Sequence, residues 1–187
     1  MIYYKLNRGE QKVLSILGTF AGQADTGADL DQAMAAPVNP IGPNVGIASQ
    51  KLYPVEENMW YNAGHITGQG CDSFVVGRLT CCAAVLLYGE EGNLIAVGHA
   101  KGGLIDDSRL DDIKSLCKYG GVQHIIYATP SLSTDGAGAD KGYKNEISRL
   151  VNVAKESRIY IIDGFGQGTS STMGTVIGDM DGNISFQ

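Results

Sequence analysis

The chain has 187 residues, 14 basic against 20 acidic side chains for a formal charge of −6, and 43% hydrophobic content, enough to build one packed domain. The acidic balance supplies no basic face for a nucleic-acid backbone, and the longest apolar run, Cys81 to Tyr88, falls well short of the ~18 residues of a membrane span. Met1 to Arg8 lacks the basic flank and apolar segment of a secretory signal, and four cysteines (Cys71, Cys81, Cys82, Cys117) without a C-x-x-C pair are too sparse for a disulfide framework or a zinc knuckle.

A cytoplasmic, reducing environment is therefore expected for the chain as made. Its 26 glycines, about twice the usual ~7%, point to many tight turns between short strands. In chain order, Val13, Leu14, Ile16, Leu17 and Phe20 fall at helical spacing within Gln11 to Ala21, and a second short helix is expected over Asp29 to Met34. Pro37, Pro40, Pro43 and Pro54 mark an irregular connection. Residues 1–70 thus read as a helical and Pro/Gly-rich extension, and residues 71–187 as the core.

Within that core, Phe74 to Val76 and Leu79 to Tyr88 read as strands. Gly92-Asn93 marks a turn, and Leu94 to Ala100 is the returning strand of a hairpin. Ser108-Arg109-Leu110-Asp111 has capping-box form and opens a helix that Gly120 and Gly121 end. A strand over His124 to Thr129 follows. Tyr143, Ile147, Leu150, Val151 and Ala154 then make one helical stripe. Arg158 to Ile162 is a strand, and Gly174 to Asp179 with Asn183 to Phe186 form a final hairpin. The order β-β-α-β-α-β-β implies an α+β fold: a layered core of mostly antiparallel strands with helices packed on it.

Of the three histidines, only His99 lies one strand from a cysteine pair across a turn. Antiparallel neighbours bring backbones within ~5.5 Å, close enough for a thiol to meet an imidazole. That pairing suits nucleophilic catalysis, because the thiolate is the nucleophile and a histidine both lowers the thiol pKa and relays the proton. Spacing alone leaves open the reading in which both residues are ordinary packed side chains.

The segment Leu79-Thr80-Cys81-Cys82-Ala83-Ala84-Val85-Leu86-Leu87-Tyr88, followed by Val97-Gly98-His99, resembles the active-site hairpin of the chemoreceptor glutamine deamidases of the CheD family. Their pattern is leucine, two small residues, the nucleophilic cysteine, a short apolar strand, a turn, and a histidine seventeen residues after the cysteine. His99 is seventeen residues after Cys82, so the resemblance selects Cys82 over Cys81. The glutamine-deamidating toxins of the cytotoxic necrotising factor type share the same Cys–His core. The family's threonine, six residues before the cysteine, is Val76 here; Thr80 or a backbone carbonyl would have to orient the imidazole instead.

The resemblance implies a cysteine-dependent protein-glutamine deamidase of bacterial effector or toxin type, with Cys82 as nucleophile and His99 as acid–base, and with no cofactor and no metal. Its partner would be a protein substrate bearing a target glutamine, reached by delivery through a specialised secretion system. A transglutaminase outcome follows if an amine replaces water. A non-catalytic protein-binding domain and a cysteine peptidase are the competing readings.

Other motifs carry less. Asp163-Gly164-Phe165-Gly166-Gln167-Gly168 follows a strand but precedes no helical stripe that could complete a phosphate cradle. It reads as a turn or substrate-rim loop, and the Thr169 to Thr172 hydroxyls as loop filler. Asp106, Asp107, Asp111 and Asp112 complement a helix dipole. His65 reads as a loop histidine near the cleft, with Trp60 and Tyr61 burying aromatic area.

Overall fold

All seven residues of Ala83–Gly89 are buried, on both faces, a pattern that belongs to a strand covered on both sides. The computed structural model describes residues 1–25, 27, 29–40, 47, 51–130, 132, 136–166 and 173–187. Its strands are β1 (Ile2–Lys5), β2 (Lys12–Ser15), β3 (Leu52–Pro54), β4 (Trp60–Asn62), β5 (Ser73–Leu79), β6 (Ala83–Gly89), β7 (Leu94–Ala100), β8 (Val122–Thr129), β9 (Arg158–Asp163), β10 (Gly174–Asp179) and β11 (Asn183–Phe186). The helices are α1 (Leu30–Ala35), α2 (Ala63–Gly68), α3 (Asp107–Tyr119) and α4 (Gly136–Val153).

The α+β fold has three layers. A six-stranded sheet, β1-β9-β8-β6-β7-β4, lies between a helical layer and a five-stranded sheet, β2-β11-β10-β5-β3. Pairing is antiparallel except for β1–β9, β8–β9 and β3–β5. One core fills the space between the sheets, where Tyr4, Leu86, Ile126 and Tyr160 meet Phe74, Val76, Ile184 and Phe186. The other packs Leu110 and Ile113 of α3 and Ile147 and Leu150 of α4 on Val85, Leu87, Ile125 and Ile161. Because side chains alternate along a strand, β6 feeds both cores.

Several expectations need correction. Residues 1–70 are not an attached helical extension: β1 and β4 form the two edges of the larger sheet, and β2 and β3 the edges of the smaller. Gln11 to Ala21 is not one helix. Leu14 and Ile16 are buried at strand spacing while Leu17 is 58% exposed, so the segment pairs with β11 as an edge strand and then makes a single π-helical turn, Ile16–Phe20. The order from Ser73 onward carries three strands on each side of the α3–β8–α4 unit, as the individually expected strands do; the summary order β-β-α-β-α-β-β is one strand short at each end. Leu79 to Tyr88 is two strands in different sheets, for Leu79 pairs with Gly174 whereas Ala84 pairs with His99 and Ala128.

The capping box at Ser108 is also not formed. The helix begins two residues earlier, after Asp106, and no side chain caps it. Its partner face is set by packing instead. Gly98 shows why glycine is needed on β7: it pairs with Trp60, and a Cβ there would fall 2.3 Å from the indole ring. The aromatic ring covers the bare backbone.

Candidate active site

Two crossings between the sheets lie side by side. The chain leaves β3 of the smaller sheet and enters β4 of the larger through residues 55–59, and it leaves β5 and enters β6 through residues 80–82. Cys82 ends the second crossing, and His99 on β7 adjoins the first. The Asn58 amide donates to the His99 carbonyl at 2.8 Å, and the His99 amide donates to the Met59 carbonyl at 3.0 Å. Asn58 adopts φ 65° to make this possible, a conformation asparagine tolerates.

Ala84 pairs directly with His99. Cys82 is two residues before Ala84, so it shares the face of Ala84 and stands diagonally across from His99, where Cα atoms lie ~7–8 Å apart. Both side chains are buried, Cys82 at 6% and His99 at 4% exposure. Cys81, of opposite parity, is exposed. All four thiols are free.

The His99 ring is held by a backbone carbonyl: Nδ1 lies 3.2 Å from the Val55 oxygen. A carbonyl only accepts, so Nδ1 carries the hydrogen and Nε2 of the neutral ring is left with its lone pair. That Nε2 is buried and has no hydrogen-bond partner. Val55 is itself fixed by its own amide, which donates to the Val75 carbonyl at 2.9 Å. One residue thus ties the smaller sheet to the imidazole of the larger. Val76 is buried in the inter-sheet core, and the Thr80 hydroxyl is directed to the Cys81 sulfur at 3.9 Å; neither is hydrogen-bonded to the His99 ring.

The thiol of Cys82 is not hydrogen-bonded to Nε2. Burial pushes it up from the ordinary cysteine range, the Gly102 amide opposes this by donating to the sulfur, and Cys81 and Glu57 add to the upward push. The expected lowering by a histidine is therefore absent in this resting arrangement. Gly102 belongs to a 3₁₀ turn, Lys101–Gly103, with φ 59°, ψ 18°. Beside His99 opens a cavity of ≈ 540 Å³ walled by Val55, Glu56, Glu57, Gly77, Arg78 and His99; Cys82 is not among its lining residues. Glu57 is paired with Lys101 at 3.4 Å.

The remaining candidates lie elsewhere. His65 is on α2, not in a loop; it stacks on Tyr61 at 4.8 Å and shares a 3.0 Å hydrogen bond with the Tyr53 hydroxyl. Asp163 is completely buried, accepting from the Tyr3 hydroxyl at 2.5 Å and from the Leu132 amide at 2.9 Å. Its following glycines clamp the chain, Gly164 packing on the Leu6 carbonyl and Gly166 accepting from the Gly9 amide at 2.8 Å. Asp112 pairs with Arg109 at 3.3 Å and Asp107 with Arg149. Among the described residues no group of three acidic, histidine or cysteine side chains could hold a metal ion, and no helix is long and apolar enough to cross a membrane. Gln167 to Thr172 lies outside the described residues.

Sequence reasoning does not find Val55, Gly102 or Arg78. For Gly102 a signal exists, since paired glycines directly after a candidate histidine strand mark close approach of backbone to a site. No protein-family model matches the chain, and no curated protein matches it. The functional reading rests on the residues themselves.

Proposed function

We propose that the chain is a protein-glutamine deamidase in which Cys82 is the nucleophile and His99 the acid–base. The observation that carries this reading is His99. It is buried on the same strand face as Cys82, its Nδ1 is fixed by the Val55 carbonyl, its Nε2 is buried without a partner, and the residue borders a cavity of ≈ 540 Å³. A buried polar atom left unmatched is costly, and such groups collect at functional sites.

Because burial keeps the thiol protonated, His99 would remove the proton as the sulfur attacks, with no preformed thiolate. The Cys82 side chain would turn from the Gly102 amide toward Nε2, and its sulfur would add to the carboxamide carbon of a substrate glutamine. The Gly102 amide, released from the sulfur, would donate to the oxyanion that develops. The C–N bond then breaks as Nε2–H protonates the departing ammonia. Water, losing a proton to Nε2, attacks the thioester, and the thiol leaves with that proton to restore Cys82. The product is glutamate, so the substrate gains one negative charge.

A second reading, a non-catalytic protein-binding domain, draws support from the thiol's contact with Gly102 instead of His99 and from its upward-shifted pKa. One experiment separates the two. Glutamine-rich unfolded polypeptide is incubated with the purified chain, and released ammonia and a mass gain of about one dalton per modified glutamine are measured. Release by wild type and Cys81→Ser, with loss in Cys82→Ser and His99→Ala, supports the enzyme. Activity surviving in His99→Ala, or ammonia from none of the proteins, removes it.

A further inference from the structure

Arg78 occupies a backbone position that an arginine does not favour. Between the Leu79–Gly174 and Val76–Val176 pairs, β5 places two residues, Gly77 and Arg78, against the single residue Thr175 of β10. This is a β-bulge, and bulges re-aim side chains beside functional sites. The left-handed position of such a bulge is normally glycine's, because a Cβ is strained there. Here Gly77 stands next door, and the residue at φ 58° is Arg78. The strain is accepted for a long cationic side chain.

Arg78 is exposed and makes no hydrogen bond or ion pair among the described residues. It shares a cavity wall with His99. Elsewhere on that wall stand Glu56 and Glu57, the latter already engaged with Lys101. The cavity is therefore bipolar: among the described residues its one uncommitted positive charge sits on β5, and the acidic residues come from the crossing between β3 and β4. An anion entering the cavity is repelled by Glu56 and Glu57 and attracted at Arg78.

Resting on the deamidase reading, we infer that Arg78 is an anion-binding specificity element, and that the substrate carries a side-chain carboxylate within a few residues of the target glutamine. The guanidinium presents a planar fork of donors that matches a carboxylate bidentately. With the carboxylate on Arg78, the direction in which the polypeptide crosses the cavity is set by the acidic wall.

Cys82→Ser protein, which binds without turnover, is titrated with fluorescent short peptides that carry a central glutamine. Glutamate, lysine or alanine is placed at each flanking position in turn, and anisotropy is recorded. For at least one position the glutamate peptide should bind about tenfold tighter than its lysine counterpart. The preference should vanish in Arg78→Gly and Arg78→Gln and invert in Arg78→Glu, while Arg78→Gly melts no lower than its parent. Equal binding of glutamate and lysine peptides, binding of none, or a glutamate preference that survives Arg78→Gly overturns the inference. The same peptides are assayed for ammonia with Cys82 intact. Arg78-dependent binding without ammonia removes the deamidase reading and keeps the subsite; ammonia release indifferent to glutamate and to Arg78 does the reverse.

Discussion

His99 and His124 make a controlled comparison within one sheet. Both are buried, at 4% and 8% exposure, and both pair with β6, opposite Ala84 and Tyr88. Yet their ring nitrogens are held differently. His124 shares a 3.0 Å hydrogen bond with the Tyr160 hydroxyl through Nδ1 and stacks on that ring at 5.9 Å; burial, reinforced by Arg158, pushes its pKa down. His99 has its Nδ1 on a backbone carbonyl, its Nε2 unpartnered and a cavity at its side. Burial does not distinguish a structural histidine from a candidate acid–base. What the ring nitrogens meet does: a hydroxyl at Nδ1 for His124, and for His99 a backbone carbonyl at Nδ1 with Nε2 buried and unpartnered.

The sharpest way to break this comparison is to delete each ring. His99→Ala should lower ammonia release by about 10²–10⁴-fold, the range for loss of a general acid–base, and also lose about 1–3 kcal/mol of stability, because the buried ring leaves a cavity and the Val55 carbonyl loses its partner. His124→Ala should keep its activity and lose about 1–3 kcal/mol of stability through the cavity and the orphaned Tyr160 hydroxyl. Thermal melting and ammonia assays on the two variants check both halves. Activity lost in His124→Ala at unchanged melting temperature would show that the two sites had been assigned the wrong way round.

The pH dependence sharpens it further. His124 has a folded pKa below the ordinary 6.5, so its contribution to stability is present above that range and is lost as pH falls through it, when the unfolded chain takes up the proton first. On the alkaline side, burial raises Cys82, Cys117, Tyr88 and Tyr127 and takes Tyr160 up to about 12. Their contribution is complete below the unfolded values and declines as pH rises past the ordinary cysteine value of 9.0. Urea midpoints across pH should fall at both ends, with the acid limb flattened in His124→Ala. Iodoacetamide should label exposed Cys81 before Cys82 at neutral pH, and Cys82 should gain ground as pH climbs. Peptide mapping reads the order, and a Cys82 that labels first at neutral pH would mean the thiol is activated at rest.

How much of this is legible in the sequence depends on the length of each signal. The β6–β7 hairpin is readable because its two strands each run seven residues around Gly92-Asn93, and α4 because its apolar stripe spans several turns. β3 and β4 are three residues each and β1 and β2 four, too short for periodicity to appear, so their edge positions emerge only from pairing. Leu79 to Tyr88 reads as one apolar strand because the crossing between sheets at residues 80–82, just after the turn of the backbone at Arg78, is made by residue types that also suit a strand. Cys82 and His99 are legible as residues. The carbonyl of Val55 is not, since any residue offers one and only the fold decides which reaches the ring.

The smallest expected effect tests the strain at that turn without any substrate. A non-glycine residue in the left-handed region costs about 1–2 kcal/mol, which Arg78→Gly would relieve. Glycine also gives the unfolded chain more freedom, which returns about 0.4–1 kcal/mol of the gain. The net stabilisation should be about 0.5–1 kcal/mol by urea unfolding. A side chain that held the bulge together would give the opposite sign, and a loss of stability in Arg78→Gly would make Arg78 a structural residue whose proximity to His99 is incidental.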